Sequence, residues 1–346
     1  MDISGTVQMD GVQSHLSQAL GQSEAFIEFQ EQISKVASVD RPVLILGERG
    51  TGKELAASRI HFLSKRWQRP LVTLNCAALM PTLIGSELFG YEKGAFTGAD
   101  TRQTGRFEKA SEGTLFLDEI GTIPMEVQEK ILRAVEYGSF ERVGSSVPVH
   151  VDVRIVAATN ADLCTMADKG LFKQDLLDRL SFEVIYVPPL RCRQGDILLL
   201  ANHFAQRMAF ELEWDKIPEI SGAAARMLEA YEWPGNIREL KNVIERAVYK
   251  SATPLIREIQ FDPFDSPYRE NRPADIQSEK PDRVDTVLAG IPPGISFKES
   301  VAQLERALLS RALEACRFNQ KKAAGMLGLS YDQFRGIKKK YADLDL

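Results

Sequence analysis

Cysteine is scarce. Four thiols, Cys76, Cys164, Cys192 and Cys316, are scattered through 346 residues. No C-x-x-C pair occurs, which argues against a zinc ribbon. So few thiols in so long a chain build no disulfide framework; reduced, buried cysteines in a cytoplasmic protein are expected. Long apolar runs are missing too. None approaches the ~18 residues of a membrane-spanning helix, so no membrane insertion is expected. Residues 1–20 have neither a basic nor an apolar leader segment, so no signal peptide is expected. The formal net charge is -5, so the chain as a whole is no polycation. With 24 glycines, 16 prolines, 44% hydrophobic and 26% charged residues, it is neither collagen-like nor wholly disordered.

What remains is a globular composition, long enough for two to three domains of roughly 150 residues each. Residues 1–18 read as a loose polar tail. From Gln22 to Ser38, Phe26, Phe29, Ile33 and Val36 recur at helical spacing. An apolar run, Pro42–Leu46, enters a glycine-rich turn, and a helical pattern follows from Leu55 to Leu63. Further short apolar segments are Leu71–Leu74, Thr114–Leu117, Val151–Ala158 and Phe182–Val187, with helical stretches between them. This alternation predicts a parallel α/β sheet covered on both faces, over residues 19–190. Residues 191–261 read as a helical subdomain. Within it the turn Trp233-Pro234-Gly235-Asn236 starts a new helix, with Asn236 as its cap. Residues 262–295, rich in proline and charge, read as a linker, and 296–346 as a small all-α domain.

Gly47-Glu48-Arg49-Gly50-Thr51-Gly52-Lys53 lies between strand and helix with the spacing of a phosphate-binding loop. Glycines let backbone N–H groups turn toward phosphate oxygens. The helix adds its positive end, and Lys53 neutralises the β- and γ-phosphates of ATP. Glu54 stands where a hydroxyl usually meets Mg²⁺, and it can reach the ion directly or through water. The second segment, Thr114–Leu117, delivers Asp118 and Glu119 at its end. Asp118 would orient Mg²⁺ and Glu119 would polarise the attacking water.

Gly94-Ala95-Phe96-Thr97-Gly98-Ala99 is small and uncharged around one aromatic residue, which predicts an exposed loop presenting Phe96 and Thr97. With Glu87-Leu88-Phe89-Gly90 before it, this hexapeptide resembles the hallmark of bacterial enhancer-binding activators. These are AAA+ ATPases that remodel RNA polymerase carrying sigma-54. The resemblance implies an AAA+ fold with a helical lid and further site residues. Thr159 and Asn160 match a sensor of the γ-phosphate. Asn75 matches the residue that couples Glu119 to nucleotide state. Arg179 matches a finger supplied to a neighbouring subunit, and Lys173 stands where a second arginine is common. Arg238, in Trp233–Leu240, matches the lid residue that reaches the nucleotide. Arg142-Val143-Gly144 resembles a second loop that moves with the first, and a plain hairpin is the alternative. A ring, a hexamer by resemblance, follows from a finger that acts in trans.

Between residues 318 and 341 six basic side chains face one acidic, Asp332. Small Ala323-Ala324, a glycine-containing turn and Ser330 capping another helix have helix-turn-helix spacing. Tyr331, Gln333 and Arg335 would meet base edges of enhancer DNA, and Lys321, Lys322, Lys338 and Lys339 its phosphates. Val301, Leu304, Leu308 and Leu313 form an apolar stripe on the preceding helix, resembling a Fis-type dimerising arrangement. Only about 20 residues precede the ATPase, with no receiver domain expected. That layout resembles family members held by an inhibitory regulator protein in trans, for which Trp67, among Lys65, Arg66, Gln68 and Arg69, is the candidate contact. The competing class is a nucleotide-sensing DNA-binding regulator that does not remodel sigma-54; the intact Gly94–Ala99 segment argues against it. A metabolic P-loop kinase is disfavoured by the DNA-binding end.

Overall fold

The computed structural model describes residues 19–264, 302, 305–306, 308–313, 316 and 319–341. The expected tail, nearly all of the linker, and Val301 and Leu304 lie outside the described residues. The chain divides into two units, residues 1–263 and 264–346.

In the first unit, β1 (Val43–Leu46), β2 (Leu71–Asn75), β3 (Thr114–Asp118), β4 (Arg154–Thr159) and β5 (Glu183–Tyr186) form one parallel sheet, ordered β2-β3-β4-β1-β5. Alternate side chains enter two cores. Leu44, Leu115, Leu117, Ile155 and Ala157 pack with Phe89, Phe107 and Ile131 on one face. Ile45, Phe116, Val156, Ala158 and Ile185 pack with Phe26, Phe29, Ile33 and Ile60 on the other. Burial on both faces is why these strands read as continuous apolar runs. The register pairs Asn75 with Asp118, Asp118 with Ala158, and Leu46 with Thr159. The functional ends of four strands therefore form one crest.

The amphipathic helix α1 spans Glu24–Ala37 and α2 spans Lys53–Phe62, each within two residues of its expected start. Helices α3 (Pro81–Phe89), α4 (Met125–Tyr137) and α5 (Gln174–Leu180) follow. β4 begins at Arg154, not Val151, because the residues before it bond elsewhere. Val151 N donates to Gly138 O (2.8 Å), and Asp152 O accepts from Glu112 N (2.6 Å). Arg154 itself is buried and donates to Val36 O, Ala37 O and Arg41 O at 2.9–3.2 Å, closing the end of α1.

The lid contains α6 (Asp196–Glu211), α7 (Gly222–Ala230) and α8 (Asn236–Lys250) around Leu200, Leu228, Trp233, Leu240 and Ile244. It is not wholly helical, since Glu219–Ile220 pairs in parallel with Leu255–Ile256. Trp233 is fully buried, and its Nε1 donates to Leu228 O (2.8 Å). Asn236 does not cap α8. Gly235 holds the cap position, and the Asn236 side chain is used elsewhere. At the root of the lid, buried Asp196 accepts from Gln22 N (2.7 Å), Ser23 N (3.0 Å), Ser23 Oγ (2.8 Å) and Arg193 Nε (2.8 Å). Burial works against its charge, yet these donors outweigh that and hold the carboxyl below the usual range.

The second unit holds α9 (Gln320–Met326) and α10 (Tyr331–Lys340), joined through Gly328 at φ 68°. Asn319 caps α9 and Ser330 caps α10. Their core is Ala323, Ala324, Phe334 and Tyr341 against Leu309, Ala312 and Leu313. The expected stripe splits here, because Leu313 is buried but Leu308 is 48% exposed and Leu309 takes the inward place. Nor are all thiols buried. The four cysteines are free, and only Cys76 is inaccessible, while Cys164 and Cys192 are exposed.

Candidate functional site

The loop from Gly47 to Gly52 leaves β1 and turns into α2 through Gly50 (φ 79°) and Gly52 (φ 98°). Lys53, the first residue of α2, is 7% exposed and its Nζ donates to Gly47 O (3.0 Å) and Glu48 O (3.3 Å). The same Nζ lies 3.9 Å from Glu119 Oε1, so the loop lysine and the acid after β3 face one another. Thr51 Oγ1 donates to Glu48 O (2.9 Å) and tightens the turn. A cavity of about 890 Å³ opens beside these groups, lined by Arg49, Gly50, Gly52, Lys53, Glu54, Asn75, Asp118, Glu119, Asn160 and Arg238. Ten of the residues singled out in the sequence thus converge, from both the sheet crest and the lid.

Asn75 bridges β2 and β3. Its Nδ2 donates to Asp118 Oδ2 (3.0 Å), and its Oδ1 accepts from Ala77 N and Ala78 N (3.0 and 3.1 Å). Glu119 sits at φ 53°, turned out of the strand at the crest. Next door, burial and then the charges of Asp118 and Glu119 push the Cys76 thiol up to about 12, so it stays protonated. Asp118 and exposed Glu54 put hard oxygen donors on the cavity wall, a set that fits Mg²⁺ arriving with a nucleotide, which needs only one or two carboxylates. Thr159 is buried and its Oγ1 accepts from Ala161 N (3.0 Å), while Asn160 alone of that pair lines the cavity.

Glu48 behaves differently from the rest of the loop. Its carboxylate leaves the cavity and takes a two-pronged bond from Arg191, Nη2 to Oε1 (2.5 Å) and Nη1 to Oε2 (2.8 Å). Asn236 Nδ2 adds a donor at 3.1 Å, and the Arg191 and Asn236 bonds hold the Glu48 carboxyl at about 2. Arg191 and the true role of Asn236 were not visible in sequence; each pairs across more than 140 residues.

Arg179 and Lys173 do not join this chain's cavity. Arg179, 56% exposed, pairs with Glu136 Oε1 (2.7 Å), and Lys173 pairs with Glu129 Oε2 (3.5 Å).

The Phe96 loop springs from α3. Phe89 stacks on Phe107 (5.3 Å) beneath it, and Gly90 pairs with Thr104. Gly94 and Gly98 have φ of 82° and 96°, Gly94 N donates to Ala99 O (2.8 Å), and Ala99 is buried. Phe96 is 44% exposed and meets Tyr91 edge-on (4.9 Å), while Ala95 is half-buried and Thr97 exposed. The Arg142 segment joins Ser139–Glu141 to Pro148–His150, an antiparallel hairpin. It is also fastened to the first loop. Glu92 N donates to Val143 O (3.1 Å), and Arg142 bonds Glu92 (3.0 Å) and Glu108 (2.6 and 2.9 Å).

Trp67 is 55% exposed. Beside it Arg66 is fixed by Asp40 (2.6 Å) and Asp152 (2.8 Å), and Arg69 by Glu112 (2.6 Å). In the second unit, Lys321, Lys322, Tyr331, Arg335 and Lys339 are exposed and Lys338 half-buried. The Gln333 side chain is exposed, and its Oε1 accepts from Ser330 N (3.0 Å) in a capping box. Among the described residues no helix is long and apolar enough to cross a membrane.

Residues 19–186 match the sigma-54 interaction domain, 191–280 the AAA+ ATPase lid domain, and 300–338 the bacterial regulatory protein, Fis family. The chain is 52% identical over 325 residues to the Psp operon transcriptional activator of Escherichia coli (strain K12), covering 93% of this chain and 97% of that one. It is 42% identical to the regulatory protein AtoC of the same organism, covering 91% of this chain and 68% of that one. Among solved structures it resembles NtrX from Brucella abortus in complex with ATP, with TM-score 0.67 and 31% identity over 96% of this chain and 71% of that one. A phosphate loop facing an Asp-Glu crest under a helical lid, beside an exposed Gly-Ala-Phe-Thr-Gly-Ala loop, is thus joined to a Fis-type end, and the chain belongs to the sigma-54-dependent AAA+ transcriptional activators, as an ATP-hydrolysing enzyme that binds nucleotide, DNA and sigma-54.

Proposed function

We propose that this activator works at a phage-shock, envelope-stress operon, as a homo-hexamer that turns ATP hydrolysis into movement of the Phe96 loop against sigma-54. The 52% identity along nearly the whole of the Psp operon activator supports the operon assignment. Within the site, Lys53 holds the β- and γ-phosphates, Asp118 and Glu54 face Mg²⁺, and Glu119 orients the attacking water, with Asn75 tying its strand to β2. Bound Mg²⁺ supplies charge neutralisation on the phosphates. Asn160 and Arg238 read the nucleotide from sheet and lid. Arg179 completes a neighbour's site, with Lys173 as a second cation lacking a planar fork. Its exposure away from its own cavity supports action in trans. Trp67, held out between two pinned arginines, is the contact for an inhibitory regulator protein. Lys321, Lys322, Ser330, Tyr331, Gln333, Arg335, Lys338 and Lys339 form the enhancer-facing surface, with Gln333 acting through its cap.

The single observation carrying this reading is that Phe96 and Thr97 are exposed on a loop whose stem is fastened through Glu92 and Arg142. The test is transcription from a sigma-54 promoter with purified components, with and without ATP. Wild type should form open complexes only with ATP. Phe96→Ala should keep ATPase activity but lose complex formation with sigma-54 in ADP–aluminium fluoride. ATP-independent regulation, untouched by Phe96→Ala, would establish the non-remodelling regulator instead.

A further inference from the structure

The phosphate-loop glutamate is the unexplained part of the site. Six of the loop's seven residues are small or cationic and so suit phosphate, yet Glu48 places a carboxylate among them. An unneutralised carboxylate there would repel ATP. Instead Arg191, in the turn Leu190–Cys192 where the lid begins, takes both of its oxygens. Asn236, fully buried at φ 52°, completes the joint. Its Nδ2 donates to Glu48 Oε2 and Arg49 O (each 3.1 Å), and its Oδ1 accepts from Leu190 N (2.8 Å). One amide thus touches the phosphate loop, the root of the lid and the first turn of α8, the helix that carries Arg238.

The geometry points to Glu48, Arg191 and Asn236 as a latch that sets the lid against the phosphate loop and thereby fixes affinity for the nucleotide without touching it. They are positioning residues, and the inference rests on the reading of the cavity as the ATP site. Arg191 has two duties, holding the lid and cancelling the Glu48 charge. The two duties predict an unusual pattern of coupling. Arg191→Ala leaves an uncompensated negative charge on the phosphate loop and should harm ATP binding more than removing both groups does.

Steady-state ATPase kinetics of the full chain test this. Arg191→Ala should raise KM for ATP about tenfold with kcat within about twofold. Glu48→Gln should raise KM only about threefold, and the double variant Glu48→Gln/Arg191→Ala should fall back to that value. Arg191→Lys, which keeps charge but not the fork, should lie between. Exchange of the two charges, Glu48→Arg/Arg191→Glu, should recover at least half of the loss. An unchanged KM in Arg191→Ala, or a double variant as impaired as the product of the single effects, overturns the latch. Equilibrium binding of ADP to Lys53→Ala separates the two failures. Lost binding there with a silent Arg191→Ala removes the latch alone, whereas retained binding removes the nucleotide assignment beneath it.

Discussion

Two glycine-rich segments of this protein both turn through positive φ, but only one of them is also pressed by a neighbouring backbone. In the phosphate loop, a Cβ on Gly50 would lie 2.3 Å from Gly235 O, against the lid backbone. In the Phe96 loop, a Cβ on Gly94 or Gly98 would meet nothing within 4 Å, although both residues have positive φ. At Gly50 the first segment must both turn and let the lid backbone come close, while Gly52 only has to turn. The second is glycine because the backbone must turn in open space. Close approach makes a rigid cradle for phosphate, and open turning makes a tip free to meet a partner. Chemistry and work are thereby assigned to loops of similar composition and different surroundings.

The largest effect comes from filling the tight place. Gly50→Ala combines a left-handed φ with a backbone clash, together about 4 kcal/mol, or on the order of 10³-fold in nucleotide affinity. Equilibrium binding of ADP checks it. Near-normal binding by Gly50→Ala would mean the lid is not closely seated.

Next is the root of that lid. Asp196→Asn leaves buried Arg193 without its counter-ion, and breaking such a pair costs about 3 kcal/mol. Urea unfolding at neutral pH reads this directly, with Phe96→Ala as the unaffected comparison. The pH dependence has a defined sign. The native Asp196 pKa is depressed, so its stabilisation is complete above the unfolded value of roughly 4 and fades as pH falls through the native value. The gap between wild type and Asp196→Asn should therefore narrow on acidification.

The legible parts of this molecule are those whose chemistry is local. Gly47–Lys53 must be contiguous to wrap a phosphate, and Asp118-Glu119 must end a strand, so spacing alone reveals both. The Gly94–Ala99 tip is equally local. Groups that act across the fold leave no such pattern. Asn236 follows a glycine at a helix start and reads as a cap, but the Leu190–Glu48–Arg49 joint claims its side chain. Gln333 is a different case, because Ser330 and Gln333 stand at capping-box spacing in the sequence itself. Arg154 sits within an apolar strand and gives no sign that it ends α1. Arg179 was legible as a residue but not as one paired with Glu136.

At the stem of the tip stands Arg142, which ties the hairpin to the Phe96 loop through Glu92 and Glu108. Its fork on Glu108 holds that carboxyl below its usual range. Arg142→Ala should leave KM for ATP unchanged and reduce sigma-54 binding in ADP–aluminium fluoride about tenfold, because the loop's stem loses its fixed direction. Co-migration with purified sigma-54 measures it. Equal losses in both quantities would show that stem and cradle are one unit.

The smallest effect returns to the glycines. Gly98→Ala meets no neighbouring atom, so its cost is only that of an L-residue at φ 96°, about 1–2 kcal/mol. That cost falls on the tip's own conformation. Nucleotide affinity and ATP turnover should stay within twofold of wild type, in contrast to Gly50→Ala. Sigma-54 binding should weaken about fivefold, since the conformation presenting Phe96 and Thr97 becomes a smaller fraction of the ensemble and apparent affinity falls with that fraction. Raising the sigma-54 concentration should then restore full complex formation with Gly98→Ala but not with Phe96→Ala, which lacks the contacting side chain itself. Failure of high sigma-54 to rescue Gly98→Ala would place this glycine in the contact rather than in the turn.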